Sequence, residues 1–326
     1  MKASEILAEF SLVAARRLAV TTESSYKAWI AKYLRFLGTE EGKSCSTSER
    51  KMEVFLSGMA RDDYSRISQH QAFNAILFLY RHVLKIELGD VSALRARKGG
   101  RERYCPSPAE IVAMLRELRN TPQYNIRLAG GLLYGCGLRV SEVCQLRIKD
   151  IDLDRQTVTV YEGKGDKDRR VRLPELLLPS LRRQIARASA VIEFDAGEGQ
   201  PVQLPGRLDI KYPAWQFQTR WGFLFPSTKP CKHPRTGKLV RWCMGPEIIQ
   251  RAVKAAAERG GVAGKVTPHC LRHAFCTHLL DTGESMRRVS EAMGHTDIRT
   301  TAGYARPECL EVRSPLDKII QFPKSA

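Results

Sequence analysis

Arg139 in GCGLRVSEVCQL, Lys164 in EGKGDKDRR, His269 and Arg272 in HCLRHAFCTHLL, and His295 and Tyr304 in GHTDIRTTAGY supply cations, proton carriers and one phenol. On a helix, His269 and Arg272 stand at i and i+3 and can reach one anion, the arginine through a bidentate fork and the histidine through a hydrogen bond or proton. Each fragment alone has an ordinary account. Arg139 can pair with Glu142 along a helix surface, Lys164 can keep a turn soluble, His295 can follow a helix end at Gly294, and Tyr304 can pack. Together they form a set of Arg, Lys, His-x-x-Arg, His and Tyr with no paired carboxylates and no Walker loop. Cys231, His233 and Cys243 come nearest to a metal set but lack ligand-pair spacing. These residue types suit phosphoryl transfer to a tyrosine.

Apolar periodicity supplies the elements that must hold this set. Thr267 caps and Pro268 opens a helix on which His269, Arg272, His273 and Cys276 share one face and Leu271, Ala274, Phe275 and Leu279 the other. That spacing predicts a cationic stripe backed by a core stripe. TVTVYE (157–162) and RRVRLP (169–174) alternate with period two and predict a β-hairpin with Lys164 in its turn. Ser107, Pro108 and Glu110 mark the start of a second, largely helical region, interrupted by an aromatic, Gly/Pro-rich stretch from about 196 to 238. Upstream, Tyr26, Trp29, Ile30, Tyr33, Leu34 and Leu37 form one face of a helix that Gly38 can end, and Met52, Phe55, Leu56 and Met59 repeat the pattern. Ser68 with Gln71 gives a capping-box signature before Phe73, Ile76 and Leu77. Residues 1–93 are therefore expected to form a helical bundle without strands, followed by a flexible basic linker, 94–104, carrying Arg95, Arg97, Lys98, Arg101 and Arg103 around Gly99 and Gly100. The expected fold class is mainly α with a small β component.

The chain has 326 residues, of which 43% are hydrophobic, enough for about two domains with buried cores and against collagen-like or disordered classes. Lys and Arg number 53 against 35 Asp and Glu, a formal charge of +18, so an anionic partner is expected. Nucleic acid fits better than a membrane surface, because no basic amphipathic helix stands out. Glu5 and Glu9 interrupt what would be a signal-peptide core, and nine cysteines lie scattered without a CxxC pair. A soluble, cytoplasmic protein with free thiols is the expectation.

Taken together, GLRVSE, the GKGDKDR hairpin, HCLRHAFCTHLL and GHTDIRTTAGY resemble the tyrosine recombinase family, whose catalytic residues occur in this order at similar spacings. The resemblance implies catalysis by Arg139, Lys164, His269, Arg272, His295 and Tyr304, with Glu142 and His273 as supports behind them. Tyr304 would form a 3′-phosphotyrosyl link, so that neither metal, ATP nor any other cofactor is required. It also implies a core-binding domain over 1–93, a catalytic domain over 105–326 and a homotetramer on DNA. The segment LPGRLDIKYPAWQFQTRWGFLFPS with HPRTGKLVRW, and the terminal VRSPLD, resemble integron integrases in particular. That implies an insertion at about 193–243, an exchange segment at about 307–326, and gene-cassette integration and excision at attI/attC-like sites, including folded single strands. Arg207, Lys211, Tyr212, Trp215, Arg220, Trp221 and Phe223 are suited to stacking on an unpaired base and holding its backbone. Gly303, Ala305 and Pro307 around the tyrosine, and Trp242 with Cys243 in place of histidines, depart from the family pattern. The alternatives are a Xer-like or phage-type recombinase restricted to duplex sites and, from another class, a silent DNA-binding factor.

Overall fold

Local sequence signals set most helix ends in the computed structural model, which describes residues 2–96, 104–161, 168–233, 236–294 and 301–302. The chain divides into two compact units, Met1–Glu102 and Arg103–Ala326. In the first, α1 (Ala3–Arg17), α2 (Val20–Leu37), α3 (Glu40–Ser44), α4 (Ser48–Arg61) and α5 (Arg66–Phe78), extended by a π-helical turn over Leu79–Leu84, enclose a core around Phe10, Ile30, Tyr33, Met52, Leu56 and Ile76. Its described residues include no strand. Thr39, Thr47 and Ser65 each accept a hydrogen bond from the amide three residues on, capping α3, α4 and α5.

Two expectations about this unit are corrected. Helix α5 is capped by Ser65 rather than Ser68, because the chain turns at Asp63 (φ 59°) and leaves Ser65 extended. Ser68 becomes the third helical residue and its hydroxyl bonds that of Ser65 at 2.9 Å. The apolar period fades near Leu94, yet the chain does not leave the bundle there. Buried Gln69 donates to the carbonyls of Leu56 and Leu94 and accepts from the Ala96 amide, so 94–96 are held by both ends of one side-chain amide. Arg95 is exposed between these anchors, while Arg97, Lys98, Arg101 and Arg103 lie outside the described residues.

In the second unit, Ser107 and Glu110 form the expected capping box at the start of α6 (Pro108–Glu117). Then come α7 (Ile126–Gly135), α8 (Val140–Gln145) and a three-stranded antiparallel sheet of β1 (Ile151–Asp152), β2 (Thr157–Val160) and β3 (Arg169–Arg172). The predicted hairpin is present as β2–β3, with Val158 opposite Val171 and Val160 opposite Arg169. Strand β1 was not expected; two residues are too few to show a period. Alternation along β3 turns Arg169 and Val171 inward. After α9 (Leu178–Gly197), the next stretch holds α10 (Leu208–Lys211), two 3₁₀ turns, and the two-residue strands β4 (Cys231–Lys232) and β5 (Leu239–Val240). Helices α11 (Pro246–Arg259), α12 (Pro268–Asp281) and α13 (Met286–Met293) complete the unit around Met114, Leu132, Leu133, Val143, Val253 and Leu271. Among the described residues no helix is long and apolar enough to cross a membrane.

Helix α12 departs from its predicted two-faced character. Arg272 and Cys276, expected on a cationic stripe, are as buried as Leu271 and Ala274, because α12 is packed on several sides by α7, α13 and α11. His269, in the first turn, is exposed, and His273 is half-buried.

Candidate active site

Gly137, at φ 60°, reverses the chain between α7 and α8, and a Cβ there would meet the Phe275 ring. This turn makes Arg139 the residue preceding α8 and Glu142 the third within it. The Glu142 carboxylate accepts from the Arg139 backbone amide at 2.7 Å and from its guanidinium at 2.6 Å. Arg169, arriving from β3, donates to the same carboxylate at 2.7 Å, and Arg272 from α12 lies 3.7 Å from it. Burial pushes the Glu142 carboxyl up; hydrogen bonds and charge from Arg169 and Arg139 outweigh it, so its pKa is held below the ordinary carboxylate value.

Three guanidiniums thus share one carboxylate, leaving two positive charges in excess among these four side chains. Arg272 is only 2% exposed and also donates to the carbonyls of Gly137 and Met293. Arg139 is 39% exposed and forms the open side of the cluster. Such an arrangement is poised for an anion, because preorganised cations in a partly dry site interact strongly with the charge that develops on a phosphoryl group.

The structure brings Arg139, Glu142 and Arg272 together and sets His269 one helical turn before Arg272. Lys164, His295 and Tyr304 lie outside the described residues, but their flanks are tied to the cluster. Val160 pairs with Arg169, and Lys164 lies between these two residues in the sequence. Arg169 Nε donates to the Ala292 carbonyl at 3.0 Å and Arg272 to that of Met293, just before His295. Thr301, three residues before Tyr304, is fully buried.

Between α10 and β4, the Tyr212, Trp215 and Trp221 rings stack in sequence, with centroids 4.1 and 4.7 Å apart. Arg207, Lys211 and Arg220 are exposed beside them. The stack corrects one expectation: Trp215 is the middle ring, with each face covered by a neighbour, so it offers no platform to a base in this arrangement. Phe223 is corrected too, being 2% exposed in a satellite core with Ile192 and Val202. Trp215, Trp221, Tyr161, Lys149 and Gln203 help line a cleft of about 730 Å³ that reaches Glu142.

Sequence reasoning missed Arg147, Lys149 and Arg169. Arg147 donates to the carbonyls of Trp221 and Gln203 and lies 4.2 Å from the Phe223 ring centre, fastening the 203–223 stretch to the end of α8. Burial pulls its pKa down to about 10, which leaves it charged at neutral pH. Lys149 stands 2.7 Å from Asp150 and 4.0 Å from the Tyr161 ring centre. The only signal for Arg169 was its inward register in RRVR, where a charged residue in a core-facing position needs a buried partner.

The family model described as the phage integrase family matches residues 107–309, and that of its N-terminal SAM-like domain matches 9–90. An integrase/recombinase of Escherichia coli is 40% identical over 304 residues, covering 91% of this chain and 88% of that protein. The tyrosine recombinase XerA of Pyrococcus furiosus is 27% identical over 317 residues, covering 97% and 94%. The fold is similar to that of the XerH site-specific recombinase bound to its difH substrate, with a TM-score of 0.62 at 19% identity across 93% of this chain and 82% of that one. A lambda integrase tetramer bound to a Holliday junction gives a TM-score of 0.61 at 16% identity across 98% and 78%. A family model matched over most of the second unit, a second matched over the helical bundle, and a 40% identical relative along nearly the whole length lead to one assignment: the chain belongs to the phage integrase family of tyrosine recombinases, enzymes that cut and rejoin DNA at specific sites.

Proposed function

We propose that Arg139, Lys164, His269, Arg272, His295 and Tyr304 act together on one DNA phosphodiester, and that the enzyme is an integron-type recombinase working in the cytoplasm on gene-cassette sites. The observation that carries the first part is the cluster of three guanidiniums on the single carboxylate of Glu142, with Arg139 and Arg272 side by side. In this reading both arginines hold the non-bridging oxygens while the Tyr304 phenol attacks phosphorus. The bond to the 5′-oxygen breaks as the tyrosyl–phosphorus bond forms. Lys164 gives its proton to the leaving oxygen, the phenol's proton passes to the imidazoles of His269 and His295, and Glu142 and His273 support from behind. A 5′-hydroxyl from another strand reverses the step, and the bond type is kept, so the reaction needs no nucleotide.

The integron-type reading is supported by the aromatic insertion, whose stack and cleft adjoin the cluster and whose exposed Arg207, Lys211 and Arg220 can follow a phosphate backbone. Tyr212 and Trp221, at the ends of the stack, are the rings suited to an unpaired base. We assign residues 1–93 to core binding, 105–326 to catalysis and the basic residues at 95–103 to phosphate contacts. A DNA-bound homotetramer with exchange of 307–326 follows from the need for two sites with two protomers each, and is the assembly of the lambda integrase neighbour. A second reading, a Xer-like enzyme confined to duplex sites, is favoured by the likeness to XerA along nearly the whole chain and by the covered faces of Trp215.

The test is covalent trapping on nicked recombination sites, duplex or folded hairpin, in EDTA without ATP. Faster adduct formation on the hairpin supports the integron-type reading, and adduct on the duplex alone supports the Xer-like one. Trp221→Ala is expected to slow trapping on hairpins about tenfold while changing the duplex rate less than twofold, since one base–aromatic stack is worth about 1–3 kcal/mol. Equal losses on both substrates would give Trp221 a packing role. Binding to either form is expected to weaken about 10³-fold or more between 50 and 200 mM salt, read by fluorescence anisotropy, as cations released from phosphates compete. A flat dependence would remove the argument from the +18 charge.

A further inference from the structure

Arg169 is 6% exposed at its side chain, and it bonds groups on different elements: the Glu142 carboxylate on α8 at 2.7 Å and the Ala292 carbonyl on α13 at 3.0 Å. Its own strand, β3, begins five residues after Lys164 in the sequence. One guanidinium therefore joins the carboxylate that orients Arg139, the helix end from which the chain runs to His295, and the strand that follows Lys164. The fork is needed for this. Nε and Nη2 point to different partners, whereas a lysine ammonium in the same place donates from a single centre.

We propose that Arg169 is a positioning residue for DNA cleavage: through Glu142 it fixes the direction in which Arg139 presents its guanidinium, and through the Ala292 carbonyl it fixes the end of α13 ahead of His295. The inference rests on the reading of Arg139 and His295 as catalytic. Glu142 also faces the Arg139 and Arg272 guanidiniums and lines the cleft shared with Arg147, Lys149 and Asp150. Removing Arg169 takes away the strongest of the influences that hold the Glu142 carboxyl down, so the carboxylate protonates more readily.

The experiment compares wild type, Arg169→Lys and Arg169→Met in single-turnover trapping across pH, with the DNA dissociation constant and the melting temperature measured on the same preparations. We expect trapping to fall about 100-fold in Arg169→Met and about tenfold in Arg169→Lys, with DNA affinity within about threefold of wild type. The acid-side loss of rate should move to higher pH in Arg169→Met, because the carboxylate loses its strongest partner. Three results would overturn the inference: rates within threefold of wild type in both variants, full rescue by lysine, or a loss of trapping that tracks unfolded or unbound protein with an unmoved pH profile. A wild-type chain forming no Tyr304-dependent adduct would sink the catalytic reading and this inference with it; normal wild-type trapping with normal variants sinks the inference alone.

Discussion

Tyr304→Phe is expected to bind recombination-site DNA like wild type and to form no covalent adduct with it. In the proposed centre the phenolic oxygen is the one group that becomes bonded to phosphorus, and deleting it leaves the cationic cluster untouched. The surviving cations still polarise the phosphodiester, but water must then replace a held nucleophile, which forfeits the advantage of proximity. A loss of about 10⁴-fold or more, about 5.4 kcal/mol in the barrier, is the expected scale. The measurement is a denaturing gel of nicked duplex and hairpin substrates beside a binding isotherm for each protein. A variant that still forms adduct would move the nucleophile elsewhere. A wild type that binds tightly and forms none would make this copy a silent DNA-binding factor.

Glu142→Ala is expected to be the most destabilising single change at the site. It strips the shared carboxylate from Arg169, 6% exposed at its side chain, and from Arg272, 2% exposed, leaving two buried guanidiniums with carbonyls but without the counter-charge they share. Breaking a buried charge pair in this way costs about 3–5 kcal/mol, and a fall in melting temperature of about 10 °C follows for a unit of this size. Glu142→Gln, which keeps the shape and one acceptor oxygen, should lose less.

The pH dependence distinguishes the charge from the shape. Because the Glu142 carboxyl is held below its ordinary value in the folded protein, its contribution is fully present above the ordinary carboxylate range and disappears as pH falls through the lowered folded value. The stability gap between wild type and Glu142→Gln should therefore be widest near neutrality and close in acid. Calorimetric scans at several pH values would show it, and a gap of constant size would mean that packing rather than charge holds the cluster.

Much of the fold was legible because it is written in short-range chemistry. The Ser107–Pro108–Glu110 start of α6, the helical faces of α2 and α4, and the pairing of β2 with β3 depend on residues within a turn or a hairpin of one another. The same holds for His269 and Arg272, which share one helix whatever surrounds it. The proposed catalytic set was picked out in sequence by its residue types and their order. Single-residue placement was less secure: Ser65 displaced Ser68 as a cap once the backbone turned at Asp63, a conformation that residue type alone does not dictate.

What the sequence by itself determined is therefore the class of fold, the periodic elements and the inventory of groups for phosphoryl transfer to a tyrosine. Tertiary structure alone decided which arginines meet. Arg169 stands 27 positions from Glu142 and 123 from Ala292, separations over which no local pattern operates. Packing alone also decided that α12 would be covered on several sides, that Phe223 would point inward and that Trp215 would be enclosed by Tyr212 and Trp221. The physical reason is common to all of these. Backbone periodicity and caps act over a few residues, whereas burying a charge or closing an aromatic stack depends on partners that come together only when distant elements pack.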